Sequence, residues 1–258
     1  MHDILHLVLG GLSGVLVGLT LGLVGGGGSI LAVPLMVYLV GVANPHVAIG
    51  TSALAVAVNA AFSLGHHAQA HTVKWRCGAI YALAGIIGAA AGSTLGKAID
   101  GHKLLFLFAM VMLLVGVLML RNRNATGDPG AQCSRDNAGK VVGLGLATGT
   151  FSGFFGIGGG FLIVPGLLAS TRMPMINAVG TSLVAVSAFG LTTAVNYALS
   201  GLIDWGLAAV FILGGVIGGM AGVALARRLS GKGVLSSVFA GLIFVVAAYM
   251  LWHSWQEF

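Results

Sequence analysis

Two glycine clusters, Gly25-Gly26-Gly27-Gly28-Ser29 and Gly156-Ile157-Gly158-Gly159-Gly160, have residue types and spacing that could do chemistry. Each adjoins an apolar stretch too short for a bilayer. Segment 29–42 has about 14 residues and 160–170 about 11, reaching about 21 and 17 Å against a hydrocarbon core of roughly 30 Å. Glycine lets backbone N–H groups approach a ligand. A helix that starts below the membrane surface aims unpaired N–H groups and a partial positive charge at it. An anion fits such a place. The same glycines could instead permit only a hairpin or close helix crossings. Gly50-Thr51-Ser52 and Gly180-Thr181-Ser182 lie a few residues inside the next apolar segment of each half. The hydroxyls of Thr51, Ser52, Thr181 and Ser182 could donate to an oxyanion without carrying charge, or could serve packing between helices. Asn59 and Asn196 are amides inside apolar segments, where they need partners, although the two do not align with each other.

The other polar residues narrow the chemistry. All six acids (Asp3, Asp100, Asp128, Asp136, Asp204, Glu257) fall at the termini or between apolar segments, and no Lys or Arg sits at a segment centre. Pumps and cation carriers usually keep an intramembrane carboxylate, so a bound cation is disfavoured. His66, His67 and His71 invite a metal reading, but adjacent helix positions diverge and no carboxylate or thiolate stands nearby. No metal or cofactor is expected, although a proton relay through Ser63 and His67 stays open. Cys77 and Cys133 are far apart without a C-x-x-C spacing, so no redox pair is legible. Glycines spaced by four (Gly14, Gly18, Gly22; Gly145, Gly149, Gly153; Gly88, Gly92; Gly218, Gly222) read as close-packing faces.

Elements that could hold such groups follow from composition. Hydrophobic residues make up 57% of 258 and charged residues 7%, with a mean hydropathy of +1.02. A soluble domain carries roughly a quarter charged residues, so the surface must face lipid. Continuous runs of about 18–20 apolar residues specify helices rather than barrel strands. Ten segments are expected: 4–24, 29–42, 47–66, 77–97, 103–120, 141–157, 160–170, 176–199, 205–226 and 234–252. The polar stretch 121–140 reads as a flexible linker between repeats 1–120 and 141–258. The halves align. Gly14, Gly18, Gly22, Gly25, Val33 and Pro34 match Gly145, Gly149, Gly153, Gly156, Val164 and Pro165 at an offset of 131; Gly50-Thr51-Ser52, Trp75 and Gly85 match Gly180-Thr181-Ser182, Trp205 and Gly215 at 130. Five segments per half make the second copy inverted relative to the first. If segments 1 and 2 jointly return to their starting side, ten of the twelve Lys and Arg share one face, leaving only Lys97 and Lys103 opposite. The positive-inside rule then puts the linker in the cytoplasm and both termini outside. The first apolar run reads as a retained helix, not a signal peptide. The basic residues, a pI near 9.8 notwithstanding, are orientation signals rather than a nucleic-acid surface.

The stretches LGLVGGGGSILAVPLM (21–36), HVAIGTSALAV (46–56), SGFFGIGGGFLIVP (152–165) and NAVGTSLVAV (177–186) resemble the sulfite exporter TauE/SafE family of bacterial inner-membrane permeases. The resemblance spans both halves. It implies export of sulfite, sulfoacetate or another organosulfonate or small organic anion, by a protein that is not an enzyme. The sequence reading reaches an anion by itself: an all-α membrane protein with a pseudo-symmetric site near the midplane. An anion channel, a metal permease and a membrane-embedded redox or assembly factor are the rivals. A small anion and the bilayer are the expected partners, and a homodimer is left open.

Overall fold

The computed structural model describes residues 4–121, 133, 135–156, 160–229 and, near the end of the chain, 241, 244, 246–250 and 252. Among these residues the regular structure is entirely helical. Helix α1 spans Ile4–Val24 and runs into a 3₁₀ turn, Gly25–Leu31. The short α2, Ala32–Pro34, passes into a π-type turn, Leu35–Leu39. Then follow α3 Pro45–Gln69, α4 Trp75–Lys97, α5 Gly101–Arg121, α6 Arg135–Phe155, α7 Gly160–Thr171, α8 Met175–Ala198 and α9 Trp205–Leu229. The described positions of the expected last segment are also helical.

Five helices (α1, α3, α4, α8 and most of α9) are long and apolar enough to cross a membrane. Their outward faces are apolar: Leu83, Ile87, Leu213 and Ile217 are each about two-thirds exposed. In water such a surface would be costly; in lipid it needs no cover. One boundary differs from expectation. α6 begins at Arg135, within the stretch assigned to the linker, because a helix turn beyond the bilayer needs no apolar residues.

Glycine rows set the packing. Side chains added at Gly14, Gly18 and Gly22 of α1 would run into the backbone of Phe211, Gly215 and Gly219 on α9. Those added at Gly88, Gly92 and Gly96 of α4 would run into Leu146, Thr150 and Phe154 on α6. Both pairs are parallel and in backbone contact, the close approach that small residues allow. Helix α3 instead runs antiparallel to α8. His46 near the start of α3 lies beside Tyr197 near the end of α8, with ring centroids 6.3 Å apart. Gly180 near the start of α8 abuts Thr72 just past the end of α3.

These directions sort the charges. Lys74, Arg76, Arg121, Arg135, Lys140, Arg172, Arg227 and Arg228 occupy backbone positions at one end of the bundle. Lys97 and Lys103 are at the other. Arg123 and Lys232 lie outside the described residues.

Candidate functional site

α3 starts cleanly. Asn44 caps it by accepting from His46 N–H at 2.9 Å, and Pro45 takes the first position, where its missing N–H costs nothing. Gly50-Thr51-Ser52 therefore falls in the second turn. Gly50 admits the Leu202 carbonyl and the Tyr197 ring, which a side chain would displace. Thr51 Oγ1 accepts from Asp204 N–H at 3.0 Å, satisfying an orphan donor at the start of α9. The second half does the same. Thr181 Oγ1 accepts from Lys74 N–H at 2.9 Å at the start of α4. Each threonine spends a lone pair on its cap and still has one O–H to donate.

Ser52 and Ser182 turn inward to their own helices. Ser52 Oγ donates to the Ile49 carbonyl at 3.0 Å and Ser182 Oγ to Val179 at 2.7 Å. All four hydroxyl residues are fully buried. The glycine turns seat on these same backbone positions, each on the opposite half. Gly25, at φ +69°, faces Val179 and the Ser182 hydroxyl; Gly156, at φ +67°, faces Ile49. A left-handed backbone in a crowded place is one that glycine alone accepts readily.

The remaining cluster residues are placed as follows. Gly26 and Gly27 continue the 3₁₀ turn. Gly28 folds back on Thr20 and Leu21, where a side chain would strike backbone, and its carbonyl is 3.2 Å from the Thr20 hydroxyl. Ser29 is buried, and Gly160 opens α7. Gly158 and Gly159 lie outside the described residues. The 3₁₀ turn and α7 also pack on each other. The antiparallel course of α3 and α8, however, leaves Thr51, Ser52 and Gly156 near one end of the bundle and Thr181, Ser182 and Gly25 near the other, so the four hydroxyls do not converge on one point.

The two asparagines part ways. Asn59 is 1% exposed, and among the described residues neither its Oδ1 nor its Nδ2 has a hydrogen-bond partner. Its amide fills the space over Gly215. Asn196 sits at the end of α8. Its Oδ1 and backbone carbonyl accept from Lys97 Nζ at 2.8 and 3.0 Å, and its Nδ2 donates to Ser93 Oγ at 2.6 Å. The Lys97 ammonium, also 2.8 Å from Ser200 Oγ, lies where a cation suits a helix C-terminus. Sequence reading missed this cluster because its members are about 100 residues apart. The histidines separate: His66 Nδ1 is 3.2 Å from the Phe62 carbonyl and His67 Nδ1 is 3.0 Å from Thr72 Oγ1. Among the described residues no three His, Cys, Asp or Glu side chains gather as a metal site.

The sequence profile of the sulfite exporter TauE/SafE family matches residues 10–250. The chain belongs to that family. A "probable membrane transporter protein" of Xylella fastidiosa (strain Temecula1) is 53% identical over 247 residues, covering 95% of each chain. The probable membrane transporter protein YunE of Bacillus subtilis is 28% identical over 253 residues, covering 90% of this chain and 93% of its own. No solved structure matches the chain. As a TauE/SafE-family protein, the chain is a multi-pass membrane transporter. The family-like stretches 21–36 and 152–165 supply Gly25 and Gly156, two of the four left-handed glycines among the described residues, and 46–56 and 177–186 supply the helices on which these two seat.

One expectation is corrected. Cys77 and Cys133 form a disulfide, with Cα atoms 5.4 Å apart. A separation of 56 residues hid the pair, since only the parallel, side-by-side packing of α4 and α6 brings the starts of the two helices together.

Proposed function

We propose that this chain is a secondary transporter that exports a small sulfur oxyanion, such as sulfite, sulfoacetate or another organosulfonate, across the bacterial inner membrane. It works with two inverted repeats, 1–120 and 141–258, joined by a cytoplasmic linker at 121–140, with both termini outside. The antiparallel course of α3 and α8, which hold matching places in the two halves, supports the inversion. So does the grouping of basic residues at one end, which the positive-inside rule makes cytoplasmic.

The observation that carries the reading is the crossed seating of the glycine turns. Gly25 lies on the Gly-Thr-Ser helix of the second half and Gly156 on that of the first. A ligand held at either seating touches both halves at once, as a rocking carrier requires. The donors are the Thr181 hydroxyl at the first seating, the Thr51 hydroxyl at the second and the Asn59 amide between them, with backbone N–H groups, none of them charged and each met in turn along the path. An inside-negative potential already favours the exit of an anion, by about 2.3 kcal/mol per charge per 100 mV.

Thr51→Val and Thr181→Val test the site. Each removes the O–H while keeping side-chain shape, and a hydrogen bond to a charged group is worth roughly 1.5–3 kcal/mol. Sulfite binding, read by thermal shift of purified protein, should weaken about tenfold or more in either variant. Efflux from proteoliposomes should fall with it. Unchanged affinity in folded variants would confine both threonines to capping α4 and α9.

A further inference from the structure

The Cys77–Cys133 disulfide joins the first turn of α4 to the stretch between the halves. Its surroundings are unusual for a bond that only staples. Val73, Lys74, Trp75, Arg76 and both cysteines line a cleft of about 240 Å³. The sulfurs are screened, with Cys77 2% and Cys133 5% exposed. A cleft of this size admits a small anion and keeps a protein reductant away. Lys74 and Arg76 give it positive charge, which concentrates anions.

Cys77 is the third residue of α4. The first bond of the helical ladder runs from Gly78 N–H to the Lys74 carbonyl, at 3.0 Å, so the N–H groups of Trp75, Arg76 and Cys77 precede it. A thiolate on Cys77 is stabilised there by the helix start and the two cations. A stabilised thiolate is a good leaving group in disulfide cleavage.

The geometry points to a reaction site for a nucleophilic sulfur oxyanion, namely sulfite, at this disulfide. The inference rests on the substrate class proposed above. The lone pair on sulfite sulfur forms a bond to Cys133 Sγ, and the Cys77–Cys133 bond breaks with its electron pair leaving on Cys77 Sγ. The products are S-sulfocysteine at 133 and a thiolate at 77. Atoms and electrons balance without any added oxidant or reductant. The reverse attack by Cys77 expels sulfite and restores the bond. The tie between α4 and the inter-half stretch is therefore open at high sulfite and closed at low. It sits three residues from Lys74, whose N–H is held by Thr181. The transporter would thus register its own cargo on the face where the cargo accumulates.

The test uses the full-length protein purified in detergent without reductant. It is treated with sodium sulfite, sodium sulfate or dithiothreitol, then alkylated and mapped by mass spectrometry. Sulfite should add the mass of one SO₃ group at Cys133 and leave Cys77 open to alkylation, whereas sulfate adds nothing. Lys74→Gln with Arg76→Gln should slow the sulfite reaction about tenfold at low salt, the low end of electrostatic focusing, and slow the dithiothreitol reaction by less, because its attacking thiolate carries one charge where sulfite carries two. Two free thiols before treatment would overturn the proposal. So would an absent adduct where dithiothreitol opens the bond, or a reaction no faster than in the denatured chain. A Cys77→Ser, Cys133→Ser variant separates the two readings. If it still binds and moves sulfite, failure of the disulfide chemistry leaves the transport site standing.

Discussion

Asn59 is the residue whose chemistry is least spent. A buried amide without partners costs about 1–3 kcal/mol relative to one that is satisfied, and native structures seldom keep such a group without a use. It lies eight residues beyond Thr51 on α3, about 12 Å along the axis, near the middle of the helix. Its counterpart at the offset of 130 is Phe189, which covers Gly85 as Asn59 covers Gly215. The two halves thus offer one polar and one apolar wall at matching places. Asn59→Leu removes the amide and keeps the volume. The ligand-free protein should then unfold at an equal or higher temperature, while sulfite efflux falls. A variant that is more stable and equally active would mean that the amide contacts no substrate.

Among the elements, the glycine-faced pairs α1–α9 and α4–α6 set how closely the helices approach. Gly18 faces the Gly215 backbone, and Gly149 faces that of Gly85, so a branched side chain has nowhere to go. Gly18→Leu should abolish monodisperse protein on size-exclusion chromatography. Gly143→Leu, on α6 with nothing within 4 Å among the described residues, should elute as wild type. The helices themselves were readable because lipid demands long apolar runs; α3, α4, α8 and α9 end within three residues of where the hydrophobic pattern does. The interior of the stretch expected at 29–42 was not readable: the chain there forms a 3₁₀ turn, the three-residue α2 and a π-type turn, which glycine and proline positions alone do not specify. What also could not be read was which helix meets which. Glycine spacing says that a face is small but is silent on its partner. For this reason the Thr51 and Thr181 caps, the Lys97–Asn196 cluster and the Cys77–Cys133 bond all appear only in three dimensions. The Gly-Thr-Ser hydroxyls show the same gap. Their residue types allowed donation to a ligand, whereas acceptance from the first N–H of a helix about 100 or more residues away needed coordinates.

For the whole molecule, orientation follows from charge. Eight basic positions lie at one end of the described bundle and two at the other, so the linker end is expected to face the cytoplasm. In a Cys77→Ser background, which leaves Cys133 as a free thiol, an impermeant maleimide should leave Cys133 unlabelled in intact cells and label it in inverted vesicles. Labelling from outside intact cells would reverse the orientation. The crossed pairing of α1 with α9 also has a bearing on how the chain is made. α9 begins about 200 residues after α1, and at 5–20 residues per second the ribosome needs roughly 10–40 s to supply it. Throughout that delay the glycine face of α1 has no native partner. α4 emerges much sooner with the same glycine row that α9 later presents, Gly85, Gly88 and Gly92 standing for Gly215, Gly218 and Gly222. The nascent first half therefore meets a decoy inside itself, and biogenesis succeeds only if α4 is kept from α1 until α6 claims it.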